Sequence, residues 1–456
     1  MRAKWGSKIG FILATAGSAI GLGNIWRFPY LAGQYGGGVF LITYLICVVT
    51  LGYFMLVAKL AFGRAAQTNI VDGFEAIAQQ GHKSVSKIWG WLGGWLGFIN
   101  AWLVSAVYVI VIGWTLSYVF SGGALLLGLS DQKIDEALFN RLSSSFGTQL
   151  FWGIACIVIT ALVIVKGVKK GIEKVSLYLM PFLFVLLLFM VVWMIFLPNS
   201  GKGILFFLKP DWERIGFTPL GFRPDLFCDL ILTAFGQAIY SLSLGMGVAF
   251  VYGSYLPQNS DIKGSSRWIV CLDTLVAFLS GMIILPAVFA FGLTPDQGPA
   301  LSFISLPLIF SKMLGGTFLM FLFFLLLFLA ALTSLISIYE ASVNLIMDKL
   351  SVNRLRATLI TTGSSALGVI LVLMSFTKKN ELLAKADLFS VFDRITGSYT
   401  MPLMIFVCCL FLGWKVPDIL IARLGHGSPL FKTYLKWVLR YIAPVVMIIL
   451  FAAAFI

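Results

Sequence analysis

GSAIGLGNIWRFP, running from Gly17 to Pro29, decides how this chain is read. It lies inside an apolar run long enough to cross a bilayer, yet it puts Gly17, Gly21 and Gly23 beside Asn24 and Arg27 at hydrocarbon depth. A stretch unwound there strands backbone N–H and C=O groups, each costly when unpaired, so it survives only where protein, water or a ligand satisfies them.

Everything around that stretch is membrane protein. Of 456 residues 59% are hydrophobic and 11% charged, which excludes a soluble globular domain. Runs near 9–30, 38–62, 88–121, 150–166, 174–197, 226–256, 266–293, 316–347, 354–376, 388–412 and 434–456 are of the length a span needs, about 20 residues, and give eleven spans. The run 150–166 is short. The run 300–313, ALSFISLPLIFSKM, is shorter still and interrupted by proline, so an outer loop helix is expected there.

The start, MRAKWGSKIG, resembles the basic end of a signal peptide, but Asn24 and Arg27 stand where cleavage would fall, so the first segment is expected to be retained. Cys47, Cys156, Cys228, Cys271, Cys408 and Cys409 lie in or beside apolar runs and imply no disulfide framework. The net charge of +14 is spread over short loops, so the bilayer is the expected partner and nucleic acid is not. With the N-terminus inside, the inner loops carry nineteen Lys and Arg against ten in the outer loops. That asymmetry places the N-terminus in the cytoplasm and the C-terminus outside, in an inner (cell) membrane.

A second break matches the first. The sixth span holds GQAIYSLSLGMG, Gly236 to Gly247, again rich in Gly and Ser at mid-membrane. The two correspond if ten spans form two inverted five-helix repeats, about 8–197 and 225–412, followed by one extra helix at 434–456. Small residues also pack helices closely. Two facing breaks nevertheless offer more, because half-helix N-termini present amides to an anion and freed carbonyls suit a sodium ion. The expectation is one all-α integral-membrane domain that binds a zwitterion together with a cation.

GSAIGLGNIWRFPY (17–30), YGGGVFLITY (35–44), SLSLGMGVAFVYGSYL (241–256) and ALTSLISIYE (331–340) resemble the neurotransmitter:sodium symporter family, in particular its bacterial amino-acid transporters, over nearly the whole chain. The resemblance implies a first sodium site at the Ala19 carbonyl, Asn24, Ser241 and Asp273, completed by the substrate carboxylate. It implies a second at the carbonyls of Gly17, Ile20 and Ala330 with the hydroxyls of Thr333 and Ser334. Five hard oxygens suit Na⁺. The substrate carboxylate would meet the amides of Gly21, Leu22 and Gly23 and the Tyr108 hydroxyl. Its ammonium would meet the carbonyls of Ala19, Tyr240 and Ser241 and the Ser243 hydroxyl. Val104, Tyr108, Tyr240, Met246, Ser334 and Ile338 would line an apolar subsite, and Gly21 stands where monoamine transporters carry an aspartate, so a substrate with its own carboxylate is expected.

Three departures from the family pattern follow. Asp273 replaces an amide and Ala277 replaces a chloride-binding serine, with Tyr44, Gln237 and Ser241 kept, so chloride-independent transport is expected. Arg27 resembles an outer gate, with Asp393 or Asp387 as its acid, and Arg2 with Asp348 an inner gate underlain by Trp5. Lys59 stands where the family carries glutamate, and is expected either to snorkel to the inner surface or to pair with Glu340 or another acid.

The leading function is Na⁺-driven import of a hydrophobic or aromatic amino acid by alternating access. Competing readings are a substrate-gated channel, an amino-acid sensor, or a symporter for a non-α amino acid or osmolyte. His82 and His426 lie in loops and no nucleophile–base pair stands out, which disfavours an enzyme. The run of spans ends after the eleventh, so a monomer or weak dimer is expected.

Overall fold

The computed structural model describes residues 3–80, 86–130, 136–218, 221–293, 301–379, 385–424 and 428–454. Among these, nine unbroken helices are long and apolar enough to cross a membrane, and a bent pair makes ten. The bent pair, α1, is Lys8–Ala19 and Gly23–Gln34 at 52° to one another. Then follow α2 (Gly38–Ala66), α3 (Ser86–Leu126), α4 (Phe146–Val165) and α5 (Val168–Ile195). The sixth segment, α6, is Pro224–Ser241 and Val248–Ser254 on either side of an unwound stretch, and neither half reaches a spanning length with its apolarity intact. After it come α7 (Ile262–Ala290), α8 (Gly316–Leu350), α9 (Arg354–Phe376), α10 (Leu388–Lys415) and α11 (Pro429–Ala453).

Local chemistry sets several of these ends. The fourth segment is longer than its hydropathy alone indicates, because the Ser145 side chain accepts from the Thr148 amide at 3.3 Å and starts the helix at Phe146. Ser7, Asn69 and Asn353 cap helices in the same way. The loop run near 300 forms Leu306–Ser311, too short to cross. One exception to the all-helical expectation appears among the described residues: an antiparallel hairpin pairing Phe217 with Phe222 and Thr218 with Gly221.

Nearly all of α8 is buried, and it lies along α3 while also touching α1, α5 and α9. A helix apolar on every side belongs in such a place. Ile46, Val49, Phe151, Leu162 and Val185 turn outward, as a surface that meets lipid should.

Candidate functional site

The first half of α1 stops at Ala19, and Ile20 leaves the helical region with ψ of 112°. Helix resumes at Gly23. The carbonyls released at this bend converge on one hydroxyl: Ser334 Oγ of α8 lies 3.4 Å from Gly17 O, 3.2 Å from Ser18 O, 3.0 Å from Ile20 O and 3.3 Å from Ala330 O. Next to it, Thr333 Oγ1 donates to Ala330 O at 2.9 Å. The oxygens expected at the second ion site are thus brought together around two hydroxyl donors, Ser334 and Thr333, with Ser18 O beside them as an oxygen that the sequence did not single out. A hard cation placed among them would accept lone pairs from hydroxyl and carbonyl alike.

On the other side of the bend lies a buried carboxylate. Asn24 Nδ2 donates to Asp273 Oδ1 at 2.8 Å, to Asp273 O at 3.0 Å and to Ser241 Oγ at 2.9 Å. Ser241 Oγ lies 2.7 Å from Asp273 Oδ2, and Tyr44 OH reaches the same oxygen at 3.4 Å. Asp273 and Asn24 are fully buried. In this arrangement neighbouring donors satisfy the carboxylate, so an ion could enter only if the Asn24 amide turned its oxygen inward. That oxygen now accepts from the Gly21 amide at 3.2 Å. Gln237 holds the bend from α6, donating to Gly23 O at 2.8 Å, and Ala277 is buried one turn along α7.

Between the two clusters is a cavity of about 20 Å³, lined by Ala19, Gly21, Leu22, Gly23, Val104, Tyr108, Tyr240, Ser243, Met246, Ser334 and Ile338. Every residue expected around an amino acid is in that lining except Ser241, which is engaged with Asp273 instead. Tyr108 OH accepts from the Leu22 amide at 3.4 Å, and Ser243 Oγ donates to Ser18 O at 3.2 Å. The volume is enough for about one water molecule, so a larger guest requires the walls to retreat. Leu22, Val104, Tyr108 and Tyr240 also line a cavity of about 620 Å³ beyond them. Those four side chains form the partition.

Arg27 and Asp393 both face the large cavity. The Arg27 guanidinium lies over the Tyr240 ring, 5.2 Å from its centroid, and no ion pair joins it to Asp393 among the described residues. Asp387 is occupied elsewhere, accepting from the Ser390 amide at 3.4 Å as the cap of its own helix.

At the end where the chain begins the structure is shut. Trp5 is buried, donates from Nε1 to Tyr252 O at 3.0 Å, and packs edge-on against Tyr252 and Tyr255. Glu173 of α5 accepts from the Gly6 amide at 2.6 Å and the Ser7 hydroxyl at 2.8 Å. Arg2 lies outside the described residues, while Asp348 accepts from the Asn69 amide at 3.2 Å and side chain at 3.0 Å. Glu173 had no signal in the sequence beyond being one acid in a basic loop.

Lys59 departs from both expectations for it. It does not snorkel, being 3% exposed, and it does not pair with Glu340, which accepts from Tyr255 OH and pairs with Arg354. Its ammonium donates instead to the Leu244 carbonyl in the α6 break. The physical reason is supply: unwinding α6 frees carbonyls, and a backbone oxygen is a partner that hydropathy and charge counting cannot display.

Residues 2–130 and 141–456 match the sodium:neurotransmitter symporter family. An uncharacterised sodium-dependent transporter of Bacillus subtilis is 36% identical over 98% of this chain and 96% of its own length. One from Haemophilus influenzae is 31% identical over 99% and 97%. The crystal structure of MhsT in complex with L-phenylalanine superposes with a TM-score of 0.86 at 33% identity, covering 100% of both chains.

Proposed function

This chain belongs to the sodium:neurotransmitter symporter family, and on that premise we propose that it imports a hydrophobic or aromatic amino acid by sodium-coupled alternating access without chloride. It is a multi-pass membrane transporter that uses Na⁺. In this reading eleven spans in two inverted five-helix repeats, about 8–197 and 225–412, and an extra helix at 434–456, form one domain of the inner membrane. The N-terminus is cytoplasmic, so the large cavity opens outward and the shut end faces the cytoplasm.

One observation carries the reading: an oxygen cluster and a buried carboxylate flank the same helix bend, with a cavity edged by the unwound backbone between them. Na⁺ would sit among Gly17, Ile20, Ala330, Thr333 and Ser334, and a second Na⁺ among Ala19, Asn24, Ser241 and Asp273. The substrate carboxylate would take the amides beyond Ile20, near the positive end of the resumed helix. Gly21 supports a substrate carrying its own carboxylate, since a Cβ there would lie 2.6 Å from Ser334 Oγ and 2.8 Å from Tyr108 OH. An apolar lining with Met246 and Ile338 favours an apolar side chain, as does the L-phenylalanine bound by the similar MhsT. Asp273 supplies the fixed negative charge and Ala277 offers no hydroxyl, which supports chloride independence. Arg27 and Asp393 would close the outer side, and Arg2 with Asp348 the inner. Each Na⁺ carried inward gains about 2.3 kcal/mol per 100 mV of membrane potential, enough to concentrate the substrate.

Tracer counterflow in proteoliposomes tests this. Sodium-dependent exchange of an apolar amino acid, unchanged when gluconate replaces chloride, is expected. Binding without exchange points to a sensor, and exchange that collapses without chloride removes the Asp273 assignment. Scanning twenty amino acids for sodium-dependent thermal stabilisation identifies the substrate.

A further inference from the structure

Six residues, Leu242 to Gly247, separate the halves of α6, and two have left-handed backbone: Ser243 at φ +50° and Gly247 at +72°. Glycine adopts this freely. A serine there is strained and persists only where its surroundings over-determine it. Part of the restraint is internal, since the Ser243 amide donates to Tyr240 O and the Leu244 amide to Ile239 O, both at 3.1 Å. The rest comes from other helices. Lys59 of α2 donates to Leu244 O, and Asn100 of α3 donates to Gly245 O at 3.1 Å. Thr400 of α10 in turn donates to Asn100 Oδ1, the oxygen of the same side-chain amide. Lys59 and Asn100 are 3% and 0% exposed, and among the described residues Lys59 has no carboxylate partner.

We propose that Lys59 and Asn100 are positioning residues that clamp the α6 break from two sides, holding Ser243 strained with its hydroxyl at the cavity. Neither lines the cavity, so both act through the backbone of 242–247. The proposal rests on the functional reading above for its substrate, but the clamp itself is a property of the break. Two adjacent carbonyls drawn toward α2 and α3 leave Ser243 no room to relax into a helical turn. Without the clamp the binding-competent break becomes one conformer among several, and apparent affinity falls by its fractional population.

The test uses the full chain in detergent with Lys59→Met, which keeps the stem and loses the donors, Asn100→Leu, and Lys59→Arg. Hydrogen exchange at the Ser243 and Leu244 amides is followed in sodium, and L-phenylalanine binding is titrated. In K59M and N100L these amides should exchange at least roughly tenfold faster, with binding about 10- to 100-fold weaker, as expected if the competent break drops to about 1–10%. K59R, which keeps a donor, should restore both. Wild-type exchange rates in both K59M and N100L would overturn the clamp, and if one variant fails to fold the other decides. A wild type that binds neither L-phenylalanine nor any other amino acid with sodium removes the functional reading, while the exchange rates still judge the clamp.

Discussion

The two broken helices solve one problem in opposite ways. At the α1 break the freed carbonyls of Gly17, Ser18 and Ile20 turn toward a shared interior point beside Ser334. At the α6 break the freed carbonyls of Leu244 and Gly245 turn away, toward the scaffold side chains of Lys59 and Asn100. The first break is short, and Ile20 leaves the helix through the extended region at φ of −69°. The second is longer and passes twice through left-handed backbone. A break whose carbonyls share one hydroxyl can exchange it for an ion, as the proposed site requires; one whose carbonyls are each held by a separate scaffold side chain is a fixture against which that site is built.

The contrast breaks most severely at Gly21. Gly21→Val fills the gap between Ser334 and Tyr108 and should weaken sodium-dependent amino-acid binding by about 100-fold. Titration on the purified variant reads this, and binding within threefold of wild type would remove the amides from the site. Next in size is Asp273→Asn. Losing a carboxylate that three side chains donate to should raise the sodium concentration for half-maximal stabilisation by about 30-fold, from bonds to charge worth about 1.5–3 kcal/mol. An unmoved sodium curve would reduce Asp273 to a structural acid.

Ser334→Ala should raise the same concentration by about tenfold, from loss of one oxygen of the cluster, while hydrogen exchange at 242–247 stays as in wild type. Faster exchange at α6 in this variant would mean the two breaks are one unit. The smallest effect belongs to Thr400→Ala, which frees Asn100 Oδ1 without removing the Nδ2 donor. A neutral hydrogen bond of about 1 kcal/mol implies roughly fivefold weaker substrate binding and an unchanged sodium curve. A shifted sodium curve would contradict the division of labour between the breaks.

How much of this could be read from residues alone follows the same line. The α1 break was legible because Gly17, Gly21, Gly23, Asn24 and Arg27 are wrong for hydrocarbon, and each wrong residue is a mark. Residues of the cavity lining were legible through motifs. The clamp was not: Asn100 reads as a minor polar residue in an apolar run, Thr400 as a β-branched one, and the partner of Lys59 is backbone, which has no letter. The count of spans shows the same limit, since the apolar run 226–256 is continuous in hydropathy yet divided in space. Asp393 and Asp387 both offered an acid for Arg27 on paper, and in space Asp393 faces the large cavity with Arg27 while Asp387 caps its own helix through Ser390.

Glu173 bears on thrift. Its carboxylate, 3% exposed, is held by the Gly6 amide and the Ser7 hydroxyl, so lifting the first helix away from α5 would strip both of these donors from a buried carboxylate. In the proposed cycle that cost falls on opening the inner end of an empty carrier, the motion that would let ions pass without substrate, so the gradient would be spared between turnovers.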